Sequence, residues 1–152
     1  MSELSDLYQE VILDHGRKPR NFRAMADATA TAEGLNPLCG DHYHVFLKMD
    51  GDRIEDVSFL GNGCAISKAS ASLMSAALKG KSKADAEELF QRFHKMVVEG
   101  DGSQAEGLGK LAVLKGVADF PTRVKCATLA WHSALAALDK DQPVVTTEDH
   151  GR

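Results

Sequence analysis

Leu4, Leu7, Tyr8, Val11, Ile12 and His15 recur at helical spacing, which predicts an amphipathic helix over residues 3–15. Gly16 and Pro19 stop it, and residues 17–26 read as irregular and partly basic. Alternating Ala and Thr from Ala28 to Ala32 predict a short strand. From His42 to Met49 the alternation is regular, with Tyr43, Val45, Leu47 and Met49 on one face. Asp50-Gly51-Asp52 is a hairpin turn signal, and Arg53 to Leu60 returns as the partner strand. After Cys64 the period changes. Ile66, Ala69, Ser70, Leu73, Met74 and Ala77 mark a helix of small residues that packs closely and ends at Gly80. A second helix runs from Ser82, its N-cap, to Val98, with Ala84, Ala86, Leu89, Phe90, Phe93, Met96 and Val97 turned inward. A polar, glycine-rich loop over 99–107 leads to a short helix over 108–117. Pro121 opens a last helix carrying Val124, Ala127, Leu129, Ala130, Trp131, Ala134 and Leu138. From Asp139 the tail is polar and expected to fray. Strands come first and helices after, so the class is α+β: a small antiparallel sheet of about three strands with helices packed on it.

Length and charge narrow the function. The 152 residues fit one domain, with a core over about 4–138 and a polar tail over 139–152. Eighteen basic against 22 acidic residues give a net charge of −4, which argues against a nucleic-acid partner. No apolar run is long enough for a membrane span, and the opening Met1-Ser2-Glu3-Leu4-Ser5-Asp6-Leu7 has neither the basic nor the apolar region of a signal peptide. Three cysteines cannot all pair internally, so the chain reads as a cytoplasmic protein of a reducing compartment.

Those cysteines carry the candidate chemistry. Cys39 lies in Asn36-Pro37-Leu38-Cys39-Gly40-Asp41, Cys64 in Gly61-Asn62-Gly63-Cys64-Ala65-Ile66-Ser67, and Cys126 in Pro121-Thr122-Arg123-Val124-Lys125-Cys126-Ala127. Glycines permit close backbone approach. Cations and helix N-termini favour the thiolate, the form that attacks sulfur and binds metal. Asp41 stands two residues from Cys39, so the chain offers three sulfurs and one carboxylate oxygen, a set that zinc accepts in four-coordinate geometry. There is no CxxC pair, so the metal signal is not local. Each residue also has a plain alternative: a buried core thiol for the cysteines, Cys126 above all, and a turn or capping role for Asp41. His42 and His44 share a strand face and have the spacing of metal ligands, yet such pairs are usually only solvated. His15 reads as a helix-end cation at its favourable pole. His132 beside Trp131 reads as a packing or surface residue, and no phosphate-cradling loop is present.

Together the three cysteine segments resemble the motifs of the IscU/NifU N-domain family of iron–sulfur cluster assembly proteins. The opening Leu7-Tyr8 through Val11-Ile12-Leu13-Asp14-His15, with Pro19-Arg20-Asn21-Phe22, is similar too. The resemblance covers about residues 4–138 and implies an IscU-like fold. Two features set the chain apart from IscU scaffolds. Lys125 stands before the third cysteine where those scaffolds have a histidine, and the stretch over about 99–120 is longer. Both are similar to the SufU branch, whose members act as zinc-dependent sulfurtransferases with the cysteine desulfurase SufS and relay sulfur toward the SufBCD complex. The resemblance implies Cys39, Asp41, Cys64 and Cys126 as zinc ligands, Cys39 as the persulfide acceptor, and Arg123 as a catalytic residue beside them. The alternatives it leaves are a scaffold holding a transient [2Fe–2S] cluster and a zinc that serves only as a folding staple.

Overall fold

In the computed structural model, the residues described are 3–37, 40–100, 108–139 and 144–146. Helix α1 (Glu3–Arg17) precedes three antiparallel strands, β1 (Ala30–Asn36), β2 (Asp41–Asp50) and β3 (Arg53–Asn62). Helices α2 (Ala65–Leu78) and α3 (Lys83–Glu99), a 3-10 helix (Gly109–Asp119) and α4 (Pro121–Asp139) follow. A short strand β4 (Val144–Thr146) then pairs in parallel with β1, so the sheet order is β3-β2-β1-β4.

The three antiparallel strands and the helices packed on them are as the alternation predicts. Details differ at the ends of elements, and α1 runs on through Gly16 to Arg17. β1 starts two residues later than expected and runs on to Asn36, because residues 30–36 pair in unbroken register with Leu47 back to Asp41. The tail, expected to fray, contributes β4. The short helix expected before α4 is a 3-10 helix, opening at Gly109 in the left-handed region with φ 60°, whereas Ala84, expected to face inward, is exposed in the first turn of α3.

One face of the sheet is buried. Ala30 and Ala32 of β1, Tyr43, Val45 and Leu47 of β2, and Val57 and Phe59 of β3 join the core cluster. Gly34 lets α4 approach this face: a Cβ there would collide with Ser133 Oγ and lie 3.1 Å from Leu129 Cδ1. In the core, Trp131 of α4 stacks on Phe93 of α3 with ring centroids 4.5 Å apart.

Helix α2 ties the layers together through small hydroxyl residues, and Ser67, Ser70, Ser72 and Ser75 are all buried. Ser70 Oγ donates to Ala127 O of α4 and accepts from Trp131 Nε1. Ser72 Oγ meets His15 Nδ1 at 2.7 Å and accepts from the Arg20 amide. Ser75 Oγ accepts from Asn21 Nδ2. His15 stands in the last turn of α1, as the sequence implies, but buried against α2 rather than as a charged cap. It is 4% exposed, and burial is the largest effect lowering its pKa below the usual 6.5, with Arg20 next.

Candidate metal centre

Three chain segments converge at one end of the buried sheet face. Asp41 opens β2, Cys64 caps the N-terminus of α2, and Cys126 lies in the second turn of α4. The register pairs Asn36 with Asp41, so the β1–β2 connection turns back at this point. Asp41 and Cys126 are each 1% exposed and Cys64 is half-buried. A ligand atom from each of the three lies within 4.8 Å of the other two. The structure thus brings together three of the four residues proposed as ligands from the sequence. The fourth, Cys39, lies outside the described residues.

The carboxylate is held by neutral donors. Cys64 N donates to Asp41 Oδ1 at 3.0 Å and Asn36 Nδ2 to Oδ2 at 3.3 Å. Asn36 Nδ2 also lies 3.7 Å from Cys126 Sγ. Gly63 makes the approach possible: a Cβ there would sit 2.5 Å from Asp41 Oδ1 and 2.7 Å from Tyr43 Oη. Ser67 supports Cys64 from below, with its amide 3.4 Å from Cys64 Sγ and its hydroxyl donating to Cys64 O. Tyr43 Oη completes the cradle, 2.8 Å from Ser67 Oγ, and burial raises the pKa of its phenol.

The two thiols share their protons unequally. A hydrogen bond from Cys126 is the largest effect lowering the Cys64 pKa, and the amide at the start of α2 adds to it. Cys126 moves the other way: its hydrogen bond to Cys64 and its burial both raise its pKa. The two thiols are thus pushed apart, Cys64 toward the thiolate and Cys126 toward the thiol. Arg123, one turn before Cys126, is held more firmly protonated by the charge of Cys64 first and by hydrogen bonding to Cys126. Beside Arg123 an open groove of about 610 Å³ runs between Ile12, Ile66, Val113, Val117 and Phe120. Phe120 is 61% exposed.

The donor set fits a zinc-type ion. Two thiols and a carboxylate are clustered, and the carboxylate is buried and oriented by neutral donors, a placement that favours a cation between them. The close approach at Gly63 is as the glycine-flanked cysteine segment implies, whereas Asn36 and Ser67 have no role in the sequence reading and Tyr43 only that of a strand-face residue. The signal of Asn36 and Ser67 was present only as position, since both stand inside the cysteine segments.

His42 and His44, on the opposite face of β2, take no part in this centre. Both meet Glu33 of β1, with Nε2–Oε2 distances of 2.6 and 3.1 Å. His132 packs edge-on against Phe90 with centroids 5.1 Å apart. No helix among the described residues is long and apolar enough to cross a membrane.

Comparison with known proteins follows the same outline. The family model described as the NifU-like N terminal domain matches residues 7–127. A Streptococcus pyogenes protein named iron–sulfur cluster assembly scaffold protein IscU is 41% identical over 140 residues, 92% of this chain and 87% of its own. A Bacillus subtilis protein named zinc-dependent sulfurtransferase SufU is 39% identical over 141 residues, 93% of this chain and 95% of its own. A solved structure from Fervidobacterium islandicum, named as an iron–sulfur cluster assembly scaffold protein for the SUF system, superposes with a TM-score of 0.79. It is 34% identical, over 91% of this chain and 99% of that one.

Proposed function

The chain belongs to the NifU-like N-terminal domain family, and on that premise we propose that it serves iron–sulfur cluster assembly as a zinc-dependent sulfurtransferase. It accepts persulfide sulfur from a SufS-like cysteine desulfurase and passes it to a SufBCD-type complex in the cytoplasm. The observation that carries this reading is the convergence of Asp41, Cys64 and Cys126, with Arg123 charged beside the two sulfurs. We assign Cys39, Asp41, Cys64 and Cys126 as the zinc ligands and Cys39 as the sulfur acceptor, with Arg123 catalytic.

When bound, zinc supplies charge that keeps the thiols deprotonated, and it has no redox chemistry of its own. The remaining steps belong to the chain. The partner's persulfide presents an electrophilic terminal sulfur, and the Cys39 thiolate attacks it as in disulfide exchange. A sulfur–sulfur bond forms at Cys39, the partner's sulfur–sulfur bond breaks, and the partner's cysteine leaves as thiolate. Arg123 holds the resulting persulfide anion by charge. Asp41, the one hard oxygen donor among soft sulfurs, is the more weakly held position and keeps the set exchangeable. The apolar groove ending at Phe120 and Arg123 gives a partner a surface beside the sulfurs.

The name of the Streptococcus relative supports a second reading, a scaffold holding a transient [2Fe–2S] cluster on the same ligands. Lys125 favours sulfur transfer, because an ammonium has no lone pair to offer a cluster iron whereas a histidine does. One experiment separates the two: metal analysis of the anaerobically purified protein, followed by a desulfurase assay on the same preparation. About one zinc per chain, stimulation of the desulfurase, and added mass on the Cys39 peptide are the expected results. A coloured protein holding iron and sulfide that survives added zinc, without stimulation, would replace this reading by the scaffold.

A further inference from the structure

The outward face of the sheet holds a second convergence of donor atoms. Glu33 of β1 pairs directly with His44 of β2, and His42 lies two residues earlier on the same face. Both imidazole Nε2 atoms point at one carboxylate oxygen, Glu33 Oε2, at 2.6 and 3.1 Å. The two rings are 5.4 Å apart between centroids. A ligand atom from each of the three residues lies within 4.8 Å of the other two. The side chains remain accessible, His42 at 49%, His44 at 48% and Glu33 at 28%.

We propose that Glu33, His42 and His44 form a second metal site, of the two-histidine, one-carboxylate type, for a divalent first-row cation such as zinc. The argument is geometric. A rigid antiparallel ladder fixes the three side chains on one face. All three offer donors that such cations accept, two neutral nitrogens and a hard oxygen. Three protein ligands leave coordination positions for water, as in open zinc sites rather than closed structural ones. A single cation would be met by all three donors at once, two ring nitrogens and a carboxylate oxygen. Strand alternation puts His42 on the opposite face from Asp41, its neighbour, so the two metal positions lie back to back across β2. The outer site has no thiol, is exposed, and is the weaker and more labile of the two.

The test is a titration of the full-length reduced protein carrying one equivalent of zinc, with cobalt(II) as the added ion. Zinc outranks cobalt for the thiol site, so it stays there. The expected result is one further saturable equivalent of cobalt, with visible ligand-field bands and no near-ultraviolet thiolate-to-cobalt band. Paramagnetic broadening should fall on the ring protons of His42 and His44. His42→Ala/His44→Ala and Glu33→Gln should each weaken this equivalent at least ten-fold while keeping the zinc equivalent and the melting temperature, since all three side chains reach solvent. The proposal is overturned if the wild type takes no second equivalent, if the double-histidine variant binds it unchanged, or if the added ion develops the thiolate band. Loss of the first zinc equivalent in a Cys64 variant would bear on the sulfur-transfer centre and leaves this result separate.

Discussion

Asn36 does more for the metal centre than its chemistry announces. Its amide reaches both Asp41 and Cys126 from a position 1% exposed, so one neutral side chain orients a carboxylate and a thiol of the proposed zinc site. Groups that orient metal ligands are worth about 10–100-fold in metal affinity. Asn36→Ala is expected to weaken zinc retention on that scale and to cost about 1–3 kcal/mol, because a buried acceptor loses its donor. Competition with a chelator and a denaturant melt check both halves; full zinc affinity in the variant would sink the assignment. Lys125 tests the choice between transfer and scaffold. Lys125→His should retain more cluster after anaerobic reconstitution than the wild type and stimulate a desulfurase less, read by visible absorption, iron content and cysteine turnover. The clustering of Asp41, Cys64 and Cys126 was legible in the sequence because their residue types carry metal chemistry by themselves, while Cys39 lies outside the described residues. Asn36, Tyr43 and Ser67 were not, because an amide or a hydroxyl becomes part of a site only through what it touches.

Helix α4 is the element that carries Cys126 to the site, and Gly34 sets how closely it lies on the sheet. A side chain at Gly34 would meet Ser133 and Leu129, both on α4. Gly34→Val is therefore expected to push α4 outward, costing about 1–3 kcal/mol as overpacking does. Zinc retention should fall with it, since Cys126 moves with its helix. A variant with wild-type melting and zinc content would show that α4 absorbs the change. The same glycine explains part of what the sequence did not disclose. A strand read from Ala/Thr alternation stops short of Gly34, whereas the structure carries β1 through it to Asn36, because glycine in a strand marks a close approach rather than an end. The helix starts were plainer, since Ser82 caps α3 through the Asp85 amide and Pro121 opens α4. β4 was hidden for another reason: three residues in a polar tail gain strand character only from the edge of β1 that they join.

At the scale of the whole molecule, His15 joins α1 to the serine-rich helix α2, and stability is expected to depend on pH through this junction. Its ring nitrogen meets Ser72 Oγ, and the charged groups acting on it are Arg20, Asp14 and Lys110. Burial is the largest cause lowering its folded pKa, Arg20 and Lys110 add to it, and Asp14 opposes. The unfolded chain, with His15 near its ordinary 6.5, takes up a proton before the folded chain does. Above that value both states are neutral and His15 makes no pH-dependent contribution. As pH falls through 6.5 toward the lower folded value, the unfolded state binds more protons and stability drops. His15→Gln removes the titration while leaving a group that can still bond to Ser72. The difference in unfolding free energy between wild type and variant should therefore be flat from about pH 8 to 7 and shift against the wild type as pH falls below 6.5. Denaturant melts of the two proteins side by side, each with zinc bound, measure that difference and cancel the acid sensitivity that the thiol centre gives to both. Parallel curves across the whole range would mean that the folded protein accommodates the imidazolium, and that the α1–α2 junction opens to water without loss of stability.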